Sequence, residues 1–139
     1  TGDSYSHYVV KLVATSDGYA LVVHSGLMIV DTIVVILDAN GNVKPPARRF
    51  LGTKFAFDLG VLGTNLALLA KRSDGSAEFR LLDAAGAPAG SWKCLDGPSQ
   101  DTYDQAAIDA DGAGWAIVYR TPLGGEKFIR TNLTGTAAP

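Results

Sequence analysis

The 139-residue chain contains 47% hydrophobic and 19% charged residues, the balance of a folded globular protein, which excludes wholesale disorder. Its formal net charge is −2 without a basic stripe, so no nucleic-acid partner is expected. The longest apolar run is interrupted and too short to span a bilayer, and a single cysteine excludes an internal disulfide.

The first third of the chain has the composition of β-strands. Four stretches are rich in Val, Ile, Leu and Tyr, which favour a pleated, half-buried surface. They lie at about residues 8–15, 19–25, 32–38 and 43–50. Asp17-Gly18 and Asn40-Gly41 separate them and are typical of tight turns. We therefore expect a four-stranded antiparallel unit.

Two similar units follow. Strands of the second unit are expected at about residues 53–60, 65–71, 76–83 and 88–95. Strands of the third unit are expected at about residues 103–109, 114–120 and 126–132. The third unit lacks most of a fourth strand in this sequence.

A short motif recurs at a nearly constant interval. The segment LDANG at Leu37–Gly41 returns as LDAAG at Leu82–Gly86 and, in weaker form, as TNLTG at Thr131–Gly135. Counted at the second residue of each motif, the spacings are 45 and 49 residues. A period of roughly 40 to 50 residues with several short strands per unit is typical of propeller blades.

The same two spacings align other residues of the units. They relate Gly18 to Gly63 and Gly112, and they relate Leu21 to Leu66 and Trp115. This alignment predicts that Trp115 occupies a core position, because its counterparts are leucines.

The repeated acids Asp38 and Asp83 are interpreted as turn residues. A carboxylate at such a position bonds its own downstream backbone, whereas glycoside hydrolysis needs two acids that converge on one bond. Asp109-Ala110-Asp111-Gly112 resembles the opening of a calcium loop but lacks the further oxygen ligands. We expect no catalytic residue, metal ligand or cofactor, with calcium as a weak possibility.

The repeating unit resembles the β-propeller repeats of large secreted or surface-exposed bacterial proteins. The resemblance depends on the turn residues of the motif and on the glycines that precede the second strands. It implies an all-β module over residues 1–139, with four-stranded blades at about 8–50, 51–95 and 96–139, secreted or at the cell surface. The third blade departs from the pattern because Asn132 replaces the aspartate.

Three blades are fewer than the four to eight that close a propeller. We therefore expect the ring to be completed by a second copy, by a complementary chain or by another fragment of a longer chain. A small open β fold, in which residues 1–7 add a strand, is the alternative.

The resemblance supports a fold and transfers no catalytic residue, so the expected function is a non-enzymatic binding or assembly module for a protein or glycan ligand. A carbohydrate-binding lectin and a fragment of a propeller hydrolase are the alternatives. Trp92 and Tyr119 are candidate ligand-binding residues because aromatic rings stack on sugars and anchor peptides. Lys71 and Arg120 join them because they recur at one repeat position.

One hairpin of the first unit departs from the second. The second unit has the polar turn Arg72-Ser73-Asp74-Gly75, where the first has Leu27-Met28-Ile29-Val30. Four consecutive apolar residues at a hairpin tip favour burial against another surface. This predicts an interface at Leu27, Met28, Ile29 and Val30, unless the strands simply run longer there.

Overall fold

A computed structural model describes residues 7–25, 31–50, 55–71, 77–95, 106–120 and 125–136. Within these ranges the chain forms eleven β-strands and no helix. The all-β fold expected from the sequence is confirmed. Over the same ranges there is no helix that could cross a membrane.

The strands follow one another in three antiparallel meanders. Sheet 1 has the order β1-β2-β3-β4, sheet 2 the order β5-β6-β7-β8, and sheet 3 the order β11-β10-β9. The bounds are β1 His7–Thr15, β2 Gly18–Ser25, β3 Asp31–Asp38, β4 Val43–Phe50, β5 Phe55–Leu62, β6 Asn65–Lys71, β7 Ala77–Leu82, β8 Lys93–Cys94, β9 Ala106–Asp111, β10 Gly114–Arg120 and β11 Glu126–Asn132.

The strand predictions hold within three residues at nearly every boundary. The exception is the strand expected at 88–95, of which only Lys93–Cys94 and one isolated bridge between Leu82 and Pro88 form. Proline has no backbone N–H to donate to a ladder, and beside Pro88 the N–H of Ala89 still donates to the carbonyl of Leu81, so pairing there is reduced rather than absent.

The register of the sheets corrects the alignment of the repeats. Tyr19, Leu66 and Trp115 are equivalent, because each is the second residue of the second strand in its sheet. The expected match of Leu21 to Leu66 is therefore wrong by two residues, and Leu21 corresponds to Leu68. The spacing of 45 residues holds in the third strand, where Leu37 and Leu82 pair with Tyr19 and Leu66.

The expected equivalence of the glycines is corrected by the same register. Gly18 begins β2 and Gly114 begins β10, so these two are equivalent, whereas Gly63 and Gly112 lie in the preceding turns. A Cβ at Gly18 would collide with the carbonyl oxygen of Leu37, and one at Gly114 with that of Thr131. Both glycines allow close approach of the third strand.

The recurring motif forms the same turn three times. Asp38 Oδ1 accepts hydrogen bonds from the backbone N–H groups of Asn40 and Asn42, both at 2.8 Å. Asp83 Oδ1 and Asn132 Oδ1 make the corresponding pairs of bonds. The interpretation of the repeated acids as turn residues is confirmed. The bonds from Asn42 hold the pKa of Asp38 below its ordinary value.

The three sheets stack face to face in chain order. Strand β1 lies beside β5, and β5 lies beside β9. One apolar core joins sheets 1 and 2, and a second joins sheets 2 and 3. We call the face of a sheet that looks towards the preceding sheet its leading face, and the opposite face its trailing face. Directly paired residues of neighbouring strands lie on the same face.

Candidate functional site

The leading face of sheet 2 is buried against sheet 1, and this contact shows how a leading face is used within the fold. Leu59, Leu66 and Leu68 project from the leading face of sheet 2 and are completely buried. They pack in one core with Val22 and Val34 of the trailing face of sheet 1. Apolar contact between successive sheets is therefore the interaction that holds the stack together.

The leading face of sheet 1 has the same kind of surface without a described sheet against it. Leu12 is 53% exposed, whereas its equivalent Leu59 in sheet 2 is 1% exposed. Tyr19 is 39% exposed, whereas its equivalent Leu66 is buried. Most described side chains of this face are apolar, and the polar Ser25 and Asp31 lie together at one end of it. The apolar members are Val9, Leu12, Ala14, Tyr19, Leu21, Val23, Ile33, Val35, Leu37 and Val43.

In its third strand, this exposed face is more apolar than its buried counterpart. Val35 and Ile33 of sheet 1 occupy the positions of Arg80 and Glu78 in sheet 2. A contiguous apolar surface of this kind is uncommon on a protein that works alone and usually marks an interface. The leading face of sheet 1 is the strongest candidate functional surface among the described residues.

The repeated turns of sheets 2 and 3 each contact the preceding sheet, which indicates how a further sheet would pack before sheet 1. A Cβ at Gly86 would lie 3.4 Å from side-chain atoms of Val34 and Ile36, so the turn of sheet 2 rests on sheet 1. Gly135 lies so close to Phe79 of sheet 2 that a Cβ would collide with its ring. At Gly41, by contrast, no described residue comes within 4 Å of such a Cβ. The turn of sheet 1 has the same hydrogen bonds as the turns of sheets 2 and 3, but no described residue packs against its glycine.

The trailing face of sheet 3 is the other end of the stack. Phe128 is 61% exposed, whereas its equivalent Phe79 in sheet 2 is 1% exposed. Val118 is its paired neighbour on the same face and is also exposed. The other described side chains of this face are Ala107, Asp109, Asp111, Ala116, Arg120, Glu126, Arg130 and Asn132. This end therefore combines apolar and charged side chains.

A groove with a volume of about 550 Å³ runs beside the first strands of the sheets. The carboxylate of Asp58 is its most buried polar group and is shared by all three sheets. It accepts hydrogen bonds from the N–H groups of Leu59 at 2.9 Å and Ile108 at 3.0 Å. Lys11 Nζ lies 3.1 Å from the same carboxylate. These contacts indicate a structural clamp between β1, β5 and β9.

His24 makes a second polar link between sheets 1 and 2. Its Nε2 accepts a 2.9 Å hydrogen bond from the N–H of Ala56, and its ring centroid lies 4.2 Å from that of Phe55. Burial lowers the pKa of His24. Protonation of Nε2 would remove the acceptor, so this contact requires the neutral imidazole.

The structure does not bring the candidate ligand-binding aromatics together. Tyr119 is 1% exposed and packs with Trp115 between sheets 2 and 3, so the prediction that it contacts a ligand is corrected. The core position predicted for Trp115 is confirmed. Trp92 is partly buried against the other core, with Arg80 Cζ 5.8 Å from its ring centroid.

The charged candidates lie on trailing faces. Lys71 ends β6 and Arg120 ends β10, so they are equivalent as expected. The corrected register places His24 at this position in sheet 1. Arg120 is exposed and stands opposite Glu126 in the ladder. The predicted interface at Leu27, Met28, Ile29 and Val30 lies outside the described residues.

The acids of the calcium-like sequence have protein partners. Asp111 forms an ion pair with Arg130, and Asp109 Oδ1 accepts a 2.8 Å hydrogen bond from the N–H of Ala110. No cluster of three potential metal-ligating side chains is found in the described parts of the chain.

Comparison with protein-family models and with curated proteins finds no match to this chain.

Sequence reasoning missed the leading face of sheet 1, although one signal was present. In β3, the run Ile33-Val34-Val35-Ile36-Leu37 is apolar at every position, whereas a strand with one solvated face alternates. A strand that is apolar on both sides is expected to be covered on both sides. The same reasoning could have located Tyr119, which is four residues from Trp115 and shares its face.

Proposed function

We propose that this chain is a non-enzymatic, propeller-type assembly module whose working surface is the leading face of sheet 1. The module binds by packing this face on another β-sheet surface, as sheet 2 packs on sheet 1. Following the family resemblance, we place this activity outside the cell.

One observation carries the proposal. Equivalent residues Leu12 and Leu59 differ in exposure by about half of their surface, although both belong to an apolar leading face. Burying apolar surface contributes roughly 25 cal/mol per Å², so an uncovered face of this size favours association.

The described carboxylates support a non-enzymatic role. Asp38 and Asp83 hold turns, and Asp58 already has three partners from three strands. Glycan binding is less favoured because Tyr119 and Trp92 contribute to different cores rather than to one platform.

The test combines an apolar dye with light scattering. The double variant L12E/Y19E places two charges on the leading face and should lower both the binding of 8-anilinonaphthalene-1-sulfonate and the mass of any assembly. L133E is the matched control, because Leu133 is an exposed apolar residue in a turn. Far-ultraviolet circular dichroism verifies that both variants fold. Dye binding and mass that are the same in L12E/Y19E and wild type would refute the proposal.

A further inference from the structure

We infer that the surface that covers the leading face of sheet 1 is the trailing face of sheet 3 in a second copy of this chain. Two copies then close into a ring of six sheets. This inference rests on the proposed function and names the partner of its surface.

The chain itself carries both halves of the required contact. Val34 of sheet 1 and Phe79 of sheet 2 are equivalent, and each receives the turn of the next sheet. Phe128 is their equivalent in sheet 3, and it is 61% exposed. A phenylalanine that is buried in one repeat and exposed in the next indicates that a further sheet belongs against it.

The turn of sheet 1 completes this correspondence. Gly135 rests on Phe79 within one chain. In the proposed dimer, the turn at Gly41 of one copy rests on Phe128 of the other. Both turns have the same hydrogen-bond pattern, so the same shape is presented to the same type of side chain.

The charges of the trailing face are compatible with this contact. Arg130 is paired with Asp111, and Arg120 stands opposite Glu126, so most of the charge is balanced within sheet 3. The contact between sheets 1 and 2 already includes Glu78 and Arg80 on the leading face of sheet 2. An interface between these sheets therefore accommodates charged side chains.

Size and symmetry favour two copies. The four strands of sheet 1 have eight or nine residues each. At spacings of roughly 4.8 Å and 3.3 Å they present a projected area of roughly 500 Å², and the three described strands of sheet 3 present roughly 300 Å². A closed dimer forms this contact twice, so the smaller face sets a projected contact of roughly 600 Å² per partner, at the lower end of the roughly 600 to 1,000 Å² of standard complexes. Six sheets fall within the four to eight of closed propellers, and a twofold axis leaves neither end uncovered.

Complementation between variants tests the inference. L12E/Y19E disables the leading face, and V118E/F128E disables the trailing face. Light scattering after size exclusion should give about twice the chain mass of 14.5 kDa for wild type and for L133E. Each double variant alone should give the single-chain mass. An equimolar mixture should recover the doubled mass, because one of its two contacts is intact.

The outcomes separate this inference from the proposed function. Assembly of V118E/F128E alone, as in wild type, would show that leading faces pack on one another and would overturn the inference. A wild-type chain that stays at its single mass but binds the dye through its leading face would also overturn it, while the proposed function would stand. Failure of the mixture to recover the doubled mass would exclude head-to-tail contact.

Discussion

The leading faces of sheets 1 and 2 have the same register and a similar apolar character, but they differ in burial. Leu59 lies in a core, whereas Leu12 is exposed at the equivalent place. The difference follows from position in the stack, since sheet 2 is preceded by a described sheet and sheet 1 is not. Repetition therefore produces a leading face three times, and among the described residues two of these faces are covered by a preceding sheet.

The first prediction measures this difference directly. Leu59→Ala should lower the free energy of unfolding by about 2 to 5 kcal/mol, because it leaves a cavity between two sheets. Leu12→Ala should change it by less than about 0.5 kcal/mol in the dispersed chain. Urea unfolding, followed by tryptophan fluorescence, provides both values.

Repeating the two unfolding measurements at higher protein concentration supplies a control. If a second copy covers Leu12, the cost of Leu12→Ala should increase at protein concentrations where wild type is assembled, while that of Leu59→Ala should not. Equal costs for the two substitutions in the dispersed chain would contradict the assigned burial.

The second prediction concerns His24, which links sheets 1 and 2 and whose equivalent on the uncovered trailing face of sheet 3 is Arg120. Its pKa is lowered from 6.5 by burial, so the unfolded chain takes up a proton at a higher pH than the folded chain. This contribution to stability is complete above pH 6.5 and decreases as the pH falls from there through the folded-state pKa, at up to about 1.4 kcal/mol per pH unit.

Urea midpoints between pH 8 and pH 5 test this contribution. His24→Gln retains a side-chain acceptor for the N–H of Ala56 but does not titrate, so its midpoint should decline less over this range. His7 is present in both wild type and variant, so its own titration affects both. The difference between their urea midpoints at each pH therefore reports on His24 alone. Identical pH profiles would show that His24 does not link protonation to the contact between sheets 1 and 2.

The sequence predicted the parts of this molecule that depend on local patterns. Alternating and β-branched runs located the strands, and the motif ending in Gly41 and Gly86 located the turns, because a turn is encoded by its own residues. The fourth strand of sheet 2 is shorter than its local pattern predicts, since only Lys93–Cys94 and the single bridge at Pro88 pair with β7.

The candidate site is the leading face of sheet 1, and it is recognised only when equivalent residues of different sheets are compared. Such equivalences are harder to predict from sequence than a turn. The motif at the end of the third strand recurs after 45 residues, but Tyr19 and Leu66 are 47 residues apart. The hairpin of β2 and β3 is two residues longer than that of β6 and β7, because its strands continue for one more pair, Ser25 and Asp31. That shift of two residues preserves the face of a strand but matches the wrong positions. Exposure of Leu12 also depends on which sheet precedes it, and this information is not local.

The third and smallest prediction compares the repeated turns, which are alike at the satisfied and the uncovered interface. Asn132 forms in sheet 3 the same backbone bonds that Asp83 forms in sheet 2, so the neutral oxygen is sufficient. Asp83→Asn should therefore change the free energy of unfolding by only a few tenths of a kcal/mol, whereas Asp83→Ala should lower it by about 1 kcal/mol. Urea unfolding at pH 7 measures both. If Asp83→Asn destabilised as much as Asp83→Ala, the negative charge rather than the acceptor would hold this turn.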